Sequence, residues 1–419
     1  MTANAGSPDD LRFLLRHPLR YLRQVPRPIR LLSVGMLINY AGVYVTLFLT
    51  LILAERHVST PRIGLALAMA GAFAIAGSWF GGFLVPRLGC RLTIIVSNVG
   101  SASFTVLFML RTPFPVTVGI VSLIALFNRV YVPAAATLVG RLSPPGARVQ
   151  RYAIIQLSLN LGISIGPPIA TFLLTRSIDA LLLLDAATSC CFALAALRLP
   201  SESQLRAATP PPPAGQAPPR RLRHDHKYLI FCLGVLLVAM TYGQQTGALP
   251  LTVKDQHYNL ELLGLLFTAN AIAVILFQLP LTFYTGRLRP VLPLSVGGLL
   301  VGGGYALLLF GVSVPVLIVS VACWTLGEMT FNPITPAVAA MMSSPGTQGS
   351  YQGALSLART AGQVIGPAVG VFAFSVSPSL CWAGCGVLGL ASAGLFGAFA
   401  RAGRSRVPGA EAVPVPDTA

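Results

Sequence analysis

Four ionisable side chains stand within long apolar runs of the sequence: Arg129, Asp185, Glu328 and Arg359. A charge at the centre of a bilayer costs roughly 2.5–3.5 kcal/mol on insertion scales, so each of them calls for a reason. Arg129 and Glu328 fall near the middle of their runs. A carboxyl group whose solvation and charged neighbours change will bind or release a proton, which makes Glu328 the first candidate for a proton-coupling site. Asp185 is the second, placed in the outer third of its run and near enough to the interface to be hydrated. Arginine keeps its proton, so Arg129 would tune a carboxylate or hold a substrate. Arg359 lies about two turns inside its run, where helix-end anchoring, gating and substrate contact are all open to it.

Other chemistries lack their residues. A phosphate-binding loop needs Gly-Lys, and neither lysine, Lys227 nor Lys254, follows a glycine. There is no His-Glu-x-x-His and no dinucleotide fingerprint. The stretch around Ser164 fits G-x-S-x-G, but that elbow needs a strand before it and Ser164 sits in mid-run. The seven cysteines mostly fall inside apolar runs, odd in number and without paired spacing, which argues against a disulfide framework. His224 and His226 have no further ligands beside them for a metal. The chain is therefore expected to be no enzyme and to hold neither metal nor cofactor.

The elements that must position these residues are legible from composition. Of 419 residues 54% are hydrophobic and 10% charged, where a soluble domain carries about 25% charged. Only a polytopic membrane protein fits, and in lipid an all-α one. Twelve helices are predicted, over 31–54, 63–85, 92–110, 116–139, 152–175, 180–198, 228–253, 261–284, 292–312, 315–340, 352–376 and 380–400. Pro and Gly punctuate the breaks, as at Thr60-Pro61, Pro144-Pro145-Gly146 and Ser344-Pro345-Gly346. The domain plan is a basic arm (1–30), a six-helix half (31–198), a Pro/Arg-rich linker (199–227), a second half (228–400) and a tail (401–419). Most lysines and arginines fall in the arm, the linker, the tail and the loops on their side, which places both termini in the cytoplasm. The same placement accounts for the net charge of +17 without any nucleic acid.

Adding 200 to a position in the first half repeatedly lands on its counterpart. Arg87-Leu88 becomes Arg287-Leu288, Pro133 becomes Pro333, and Gly162 with Ile165-Gly166-Pro167 becomes Gly362 with Ile365-Gly366-Pro367. Two copies in the same orientation imply halves related by an axis along the membrane normal, rocking about a site between them. On that repeat Asn128 is the counterpart of Glu328, and both are expected to face the shared axis.

With these residues the chain resembles the major facilitator superfamily, and more closely its bacterial drug:proton antiporter branch, over residues 31–400. The stretch Gly82-Phe-Leu-Val-Pro-Arg87-Leu-Gly89-Cys-Arg91 is similar to the family's gating loop G-x-x-x-D-R-x-G-R-R, with Pro86 in place of the aspartate and Cys90 in place of a basic residue. Gly162, Gly166 and Pro167 look like the antiporter motif G-x-x-x-G-P, and Gly362, Gly366 and Pro367 repeat it. Such glycines let helix backbones approach closely, and these two helices are expected to be where the halves slide. The resemblance implies a monomeric secondary transporter of the plasma (inner) membrane, whose partners are a small-molecule substrate, protons and the bilayer. Its leading form is proton-coupled efflux of amphipathic or hydrophobic molecules, as in multidrug resistance. Proton-coupled or facilitative nutrient uptake, and a non-transporting sensor or scaffold, are the alternatives. The family's cavity-lining helices make Asn39, Tyr40, Tyr242, Gln244 and Gln245 candidate substrate contacts, with Asn270 on the eighth helix beside them.

Overall fold

A backbone in hydrocarbon must satisfy its N–H and C=O groups within its own segment, and helices are the only extended regular structure among the described residues. The structure, a computed structural model, describes residues 17–42, 44–110, 112–174, 176–207, 222–258, 260–344 and 346–403. Most of the basic arm (1–16), the polyproline part of the linker (208–221) and the tail beyond 403 lie outside the described residues, so the expectations for them stand as made.

A short helix α1 (Pro18–Gln24) leads into α2 (Arg27–Gly42) and α3 (Tyr44–Glu55), which flank residue 43. Next comes α4 (Thr60–Phe108), 49 residues long, with Pro61 in its first turn where the missing N–H costs nothing. It runs on through Pro86 and is interrupted at Gly89, whose φ of 78° and ψ of 167° leave the helical region. The predicted break over residues 86–91 thus narrows to one glycine. Then follow α5 (Phe114–Leu142), α6 (Arg148–Leu174), α7 (Ile178–Ala196) and the short α8 (Glu202–Ala207). Helix α9 (His226–Tyr242) is capped by Asp225, whose carboxylate accepts from Tyr228 N at 3.1 Å, and passes through a 3-10 turn (Gly243–Gln245) into α10 (Ala248–Asp255). The series continues with α11 (Leu260–Thr285), α12 (Val291–Ala306), α13 (Val314–Phe331), α14 (Ile334–Met342), α15 (Gln348–Val376) and α16 (Pro378–Gly403).

Ten helical stretches among the described residues are long and apolar enough to cross a bilayer. In that number α4 enters once, although the sequence assigns it two spans, and α2 with α3 does not enter. Three buried clusters hold the bundle. One runs from Tyr228 to Phe396 and stacks Tyr305 against both Trp324 and Trp382, with ring centroids 6.3 and 6.0 Å apart. The other two are built mainly from residues 25–205. Large apolar side chains such as Phe372, Leu265 and Phe277 are exposed, as a lipid-facing surface requires.

The antiporter-type glycines face their own helix group, while their helices also reach the other group, α6 packing on α11 and α15 on α4. A Cβ on Gly162 would lie 2.7 Å from Leu37 O, and one on Gly166 3.3 Å from Ala41 O, so that face of α6 lies on α2. Gly362 meets Leu236 O and Ala239, and Gly366 meets Met240, so the matching face of α15 lies on α9. These glycines fasten helices within each group, because small-residue faces favour permanent close contact.

The two groups meet elsewhere. A Cβ on Gly82 of α4 would lie 2.6 Å from Gly353 Cα of α15, and Gly349 packs against Val85 and Pro86. The Ser78 and Thr360 hydroxyls hydrogen-bond at 2.8 Å. Gln352 Nε2 donates to the Tyr152 hydroxyl at 3.3 Å, and a Cβ on Gly140 would sit 3.1 Å from that of Ala340. Both of these last pairs join positions separated by 200, as happens where a two-fold axis passes between the copies. Together these contacts close the end of the bundle that carries Gly82, Gly140 and Gly349.

Two substitutions test this packing. Gly82→Leu forces the two backbones apart and is expected to cut transport at least about tenfold while leaving a folded, monodisperse protein; unchanged transport would contradict the close approach. Gly89→Val places a β-branched residue at positive φ, at a cost of about 1–2 kcal/mol. Its detergent-solubilised form is expected to melt a few degrees lower by intrinsic-fluorescence scan, and an unaltered midpoint would contradict the kink.

Candidate functional site

Helix α13 is apolar from Val314 until Glu328, whose side chain is 3% exposed. An ionisable group so placed needs polar neighbours, and three helices supply them. Asn270 Nδ2 of α11 donates to Oε2 at 3.4 Å and Gln156 Nε2 of α6 to Oε1 at 3.5 Å. Tyr242 at the end of α9, the Asn160 amide and the Arg359 guanidinium lie close to the carboxyl group. Tyr242 is held edge-on against Trp324, centroids 6.0 Å apart, with Gln245 nearby.

Arg359 takes its place from the turn that joins α13 to α14, where Pro333 brings no N–H but the backbone at Asn332 and Pro333 keeps helical dihedrals. There Asn332 Oδ1 and Thr335 Oγ1 accept from Arg359 Nη2 at 3.2 and 2.8 Å. Arg359 and Arg129 line one cavity of about 100 Å³, walled by Met36, Ile155, Leu159 and Leu355 and edged by Gln156, Asn332 and Gln352. Gln156 therefore touches the cavity on one side and Glu328 on the other. On the far side of Glu328 lies a lipid-facing apolar groove of about 850 Å³ between α11 and α13, with Asn270 and Thr325 among its lining residues. Asn270 Nδ2 donates to Thr325 Oγ1 at 2.9 Å.

The sequence candidates thus divide. Glu328, Arg359, Tyr242, Gln245 and Asn270 form one connected neighbourhood, and Arg129 joins it through the cavity. Tyr40 is half-buried beside Tyr131, with Arg359 near enough to act on it electrostatically. Asn39 is turned away: it is 1% exposed, and its Nδ2 reaches Asn98 Oδ1 at 3.3 Å and Ser189 Oγ at 3.2 Å. Gln244 joins α9 to α15 instead, donating to Gly366 O at 2.7 Å. Asn128 accepts from Ser101 Oγ at 2.7 Å and so faces α4, not the shared axis; one residue of helix rotation gives the cavity to Arg129.

Asp185 is not hydrated. It is 0% exposed, and its Oδ2 accepts from Val45 N at 3.0 Å, at the start of α3. A carboxylate there satisfies an otherwise orphaned helix N-terminal amide. In the gating stretch, Arg87 donates to Phe83 O at 2.9 Å and stacks on the Phe83 ring, and Arg91 is half-buried. An acidic residue approaches the gating stretch from the linker side. Glu202 of α8 accepts two hydrogen bonds from Arg141 at 2.9 Å and lies against Gly89.

Sequence reasoning missed Gln156, Asn160, Asn332 and Gln352. A signal existed in their spacing: 152, 156 and 160 share one helical face, as do 352, 356 and 359.

The Major Facilitator Superfamily model matches residues 32–243 and 231–416. The uncharacterized MFS-type transporter YqjV of Bacillus subtilis is 22% identical over 362 residues, covering 84% of this chain and 86% of its own. The multidrug resistance protein MdtH of Aeromonas hydrophila is 25% identical, covering 78% of this chain and 83% of its own. Among solved structures, the human organic anion transporter MFSD10 (TETRAN) superposes with a TM-score of 0.72 at 18% identity, over 89% of this chain and all of that one. The chain is a multi-pass membrane protein and belongs to the Major Facilitator Superfamily.

Proposed function

We propose that the protein is a proton-coupled secondary transporter that exports small amphipathic organic molecules by alternating access. Twelve crossings in two halves, with α4 crossing twice about Gly89 and α2 with α3 crossing once, fit the repeat and the family. The arginine-rich end would face the cytoplasm of a bacterial cell, so the closed end described above is the cytoplasmic one.

One observation carries the reading. The neighbours of Glu328 come from both sides of the interface between the groups: Tyr242 and Asn270 from its own side, Gln156 and Asn160 from α6 across it. Rocking the groups apart removes the α6 amides and leaves the others in place. A carboxylate that loses hydrogen-bond donors or gains water changes its hold on a proton, so proton binding is tied to which side is open. Efflux is the direction suggested by the multidrug resistance relative. A second reading, proton-coupled uptake, is favoured by the excess of fixed positive charge around the cavity, since an anion beside Glu328 would bind together with a proton and travel with it.

Reconstituted into liposomes under an imposed pH gradient, the protein is expected to move amphipathic aromatic compounds against the proton flow. Glu328→Gln should lower that gradient-driven flux by about a hundredfold, the loss of a group that acts in every cycle, while substrate exchange at equal pH persists. Flux unaffected by Glu328→Gln would remove this residue from the coupling; flux in the same direction as the protons would establish uptake.

A further inference from the structure

We infer that the cavity between the two helix groups takes the anionic group of its substrate, a carboxylate or sulfonate on a compact apolar body, between Arg129 and Arg359. Arg129 comes from α5 and Arg359 from α15, so the two guanidinium groups approach one cavity from opposite sides of the interface. Neither forms a direct ion pair with a carboxylate among the described residues. Among the described residues the ion pair is Arg141 with Glu202 at 2.9 Å, far along the bundle from this cavity. Arg129 makes no hydrogen bond to a described residue, and Arg359 spends only Nη2, on the neutral oxygens of Asn332 and Thr335. Its Nη1 and Nε make no hydrogen bond to a described residue, and Arg359 lines the cavity.

One carboxyl group, Glu328, stands near Arg359, and two permanent cations line the cavity. The site is therefore positive whether or not Glu328 holds a proton. Two cations in a poorly solvated space destabilise each other and the fold around them unless a counter-charge arrives. The planar guanidinium fork matches a carboxylate or sulfonate through paired hydrogen bonds. Gln156, Ser356 and Thr360 add neutral polar groups at the same wall, while Met36, Ile155 and Leu355 offer an apolar surface to the rest of the molecule. A cation would meet two like charges here, and a neutral molecule would leave both guanidinium groups uncompensated.

This inference rests on the proposed reading of the cavity as the substrate path, and binding tests it apart from transport. The full-length protein in nanodiscs of zwitterionic lipid is titrated with four probes of one shape: naphthoate, naphthalenesulfonate, naphthyl-trimethylammonium and naphthalenemethanol. The two anions are expected to bind at least about tenfold more tightly than the other two, as a paired charge interaction of this kind gives. Arg129→Gln and Arg359→Gln should each weaken anion binding about tenfold or more and leave the alcohol unchanged. Arg129→Lys and Arg359→Lys, which keep the charge and the fold, should recover part of the loss. Equal binding of all four probes, preference for the ammonium, binding of none, or anion affinity indifferent to both arginines would overturn the inference. Anion binding alongside Glu328-independent flux would sink the coupling proposal alone; Glu328-dependent flux without anion preference would sink this one alone.

Discussion

Of the four charged side chains in the apolar spans of this bundle, three gather where the helix groups face each other, and only Glu328 among those three is negative. That imbalance constrains everything around it. A buried charge is tolerated when donors or acceptors replace the water it has lost, so polar side chains must converge on Glu328 and Arg359 from several helices at once. Five elements do so: α6, α9, α11, α13 and the turn into α14. The turn at Pro333 belongs to the same requirement, because it supplies Asn332 and Thr335 to Arg359.

The second constraint is the close approach of backbones where the groups meet. Gly82 facing Gly353, and Tyr152 touching Gln352, leave no room for a side chain or a water file at that end. Contacts of this kind are made of van der Waals packing with a few hydrogen bonds, Ser78 with Thr360 among them. Such interfaces separate as units without uncovering many unsatisfied polar groups, in keeping with rocking halves. The glycine faces of α6 and α15 do the opposite work and hold each helix to its own group.

Much of this was legible in the sequence. The apolar runs, the Pro/Gly punctuation and the 200-residue offset gave the helices and the repeat, because in lipid the hydrophobic length and backbone saturation leave few alternatives. Glu328, Arg359 and Arg129 were findable because a charge in an apolar run is costly and rare. What could not be read was rotation about each helix axis. Asn39 and Gln244 were expected in the cavity and instead bridge neighbouring helices, since an amide in a span serves either end equally well on sequence grounds. Asp185 was placed at a wet interface from its depth alone, whereas the start of α3 gives it a buried amide partner. The approach of Glu202 to the gating stretch was not readable, because its partner Arg141 is 61 residues away in sequence.

The claim on which the rest hangs is that the closed end must open for transport to proceed. In a protein stripped of its seven native cysteines, Ser78→Cys with Thr360→Cys places two thiols where two hydroxyls now touch. Oxidation is expected to join them and to stop transport in proteoliposomes, and reduction to restore it. Full transport by the cross-linked protein would contradict the account.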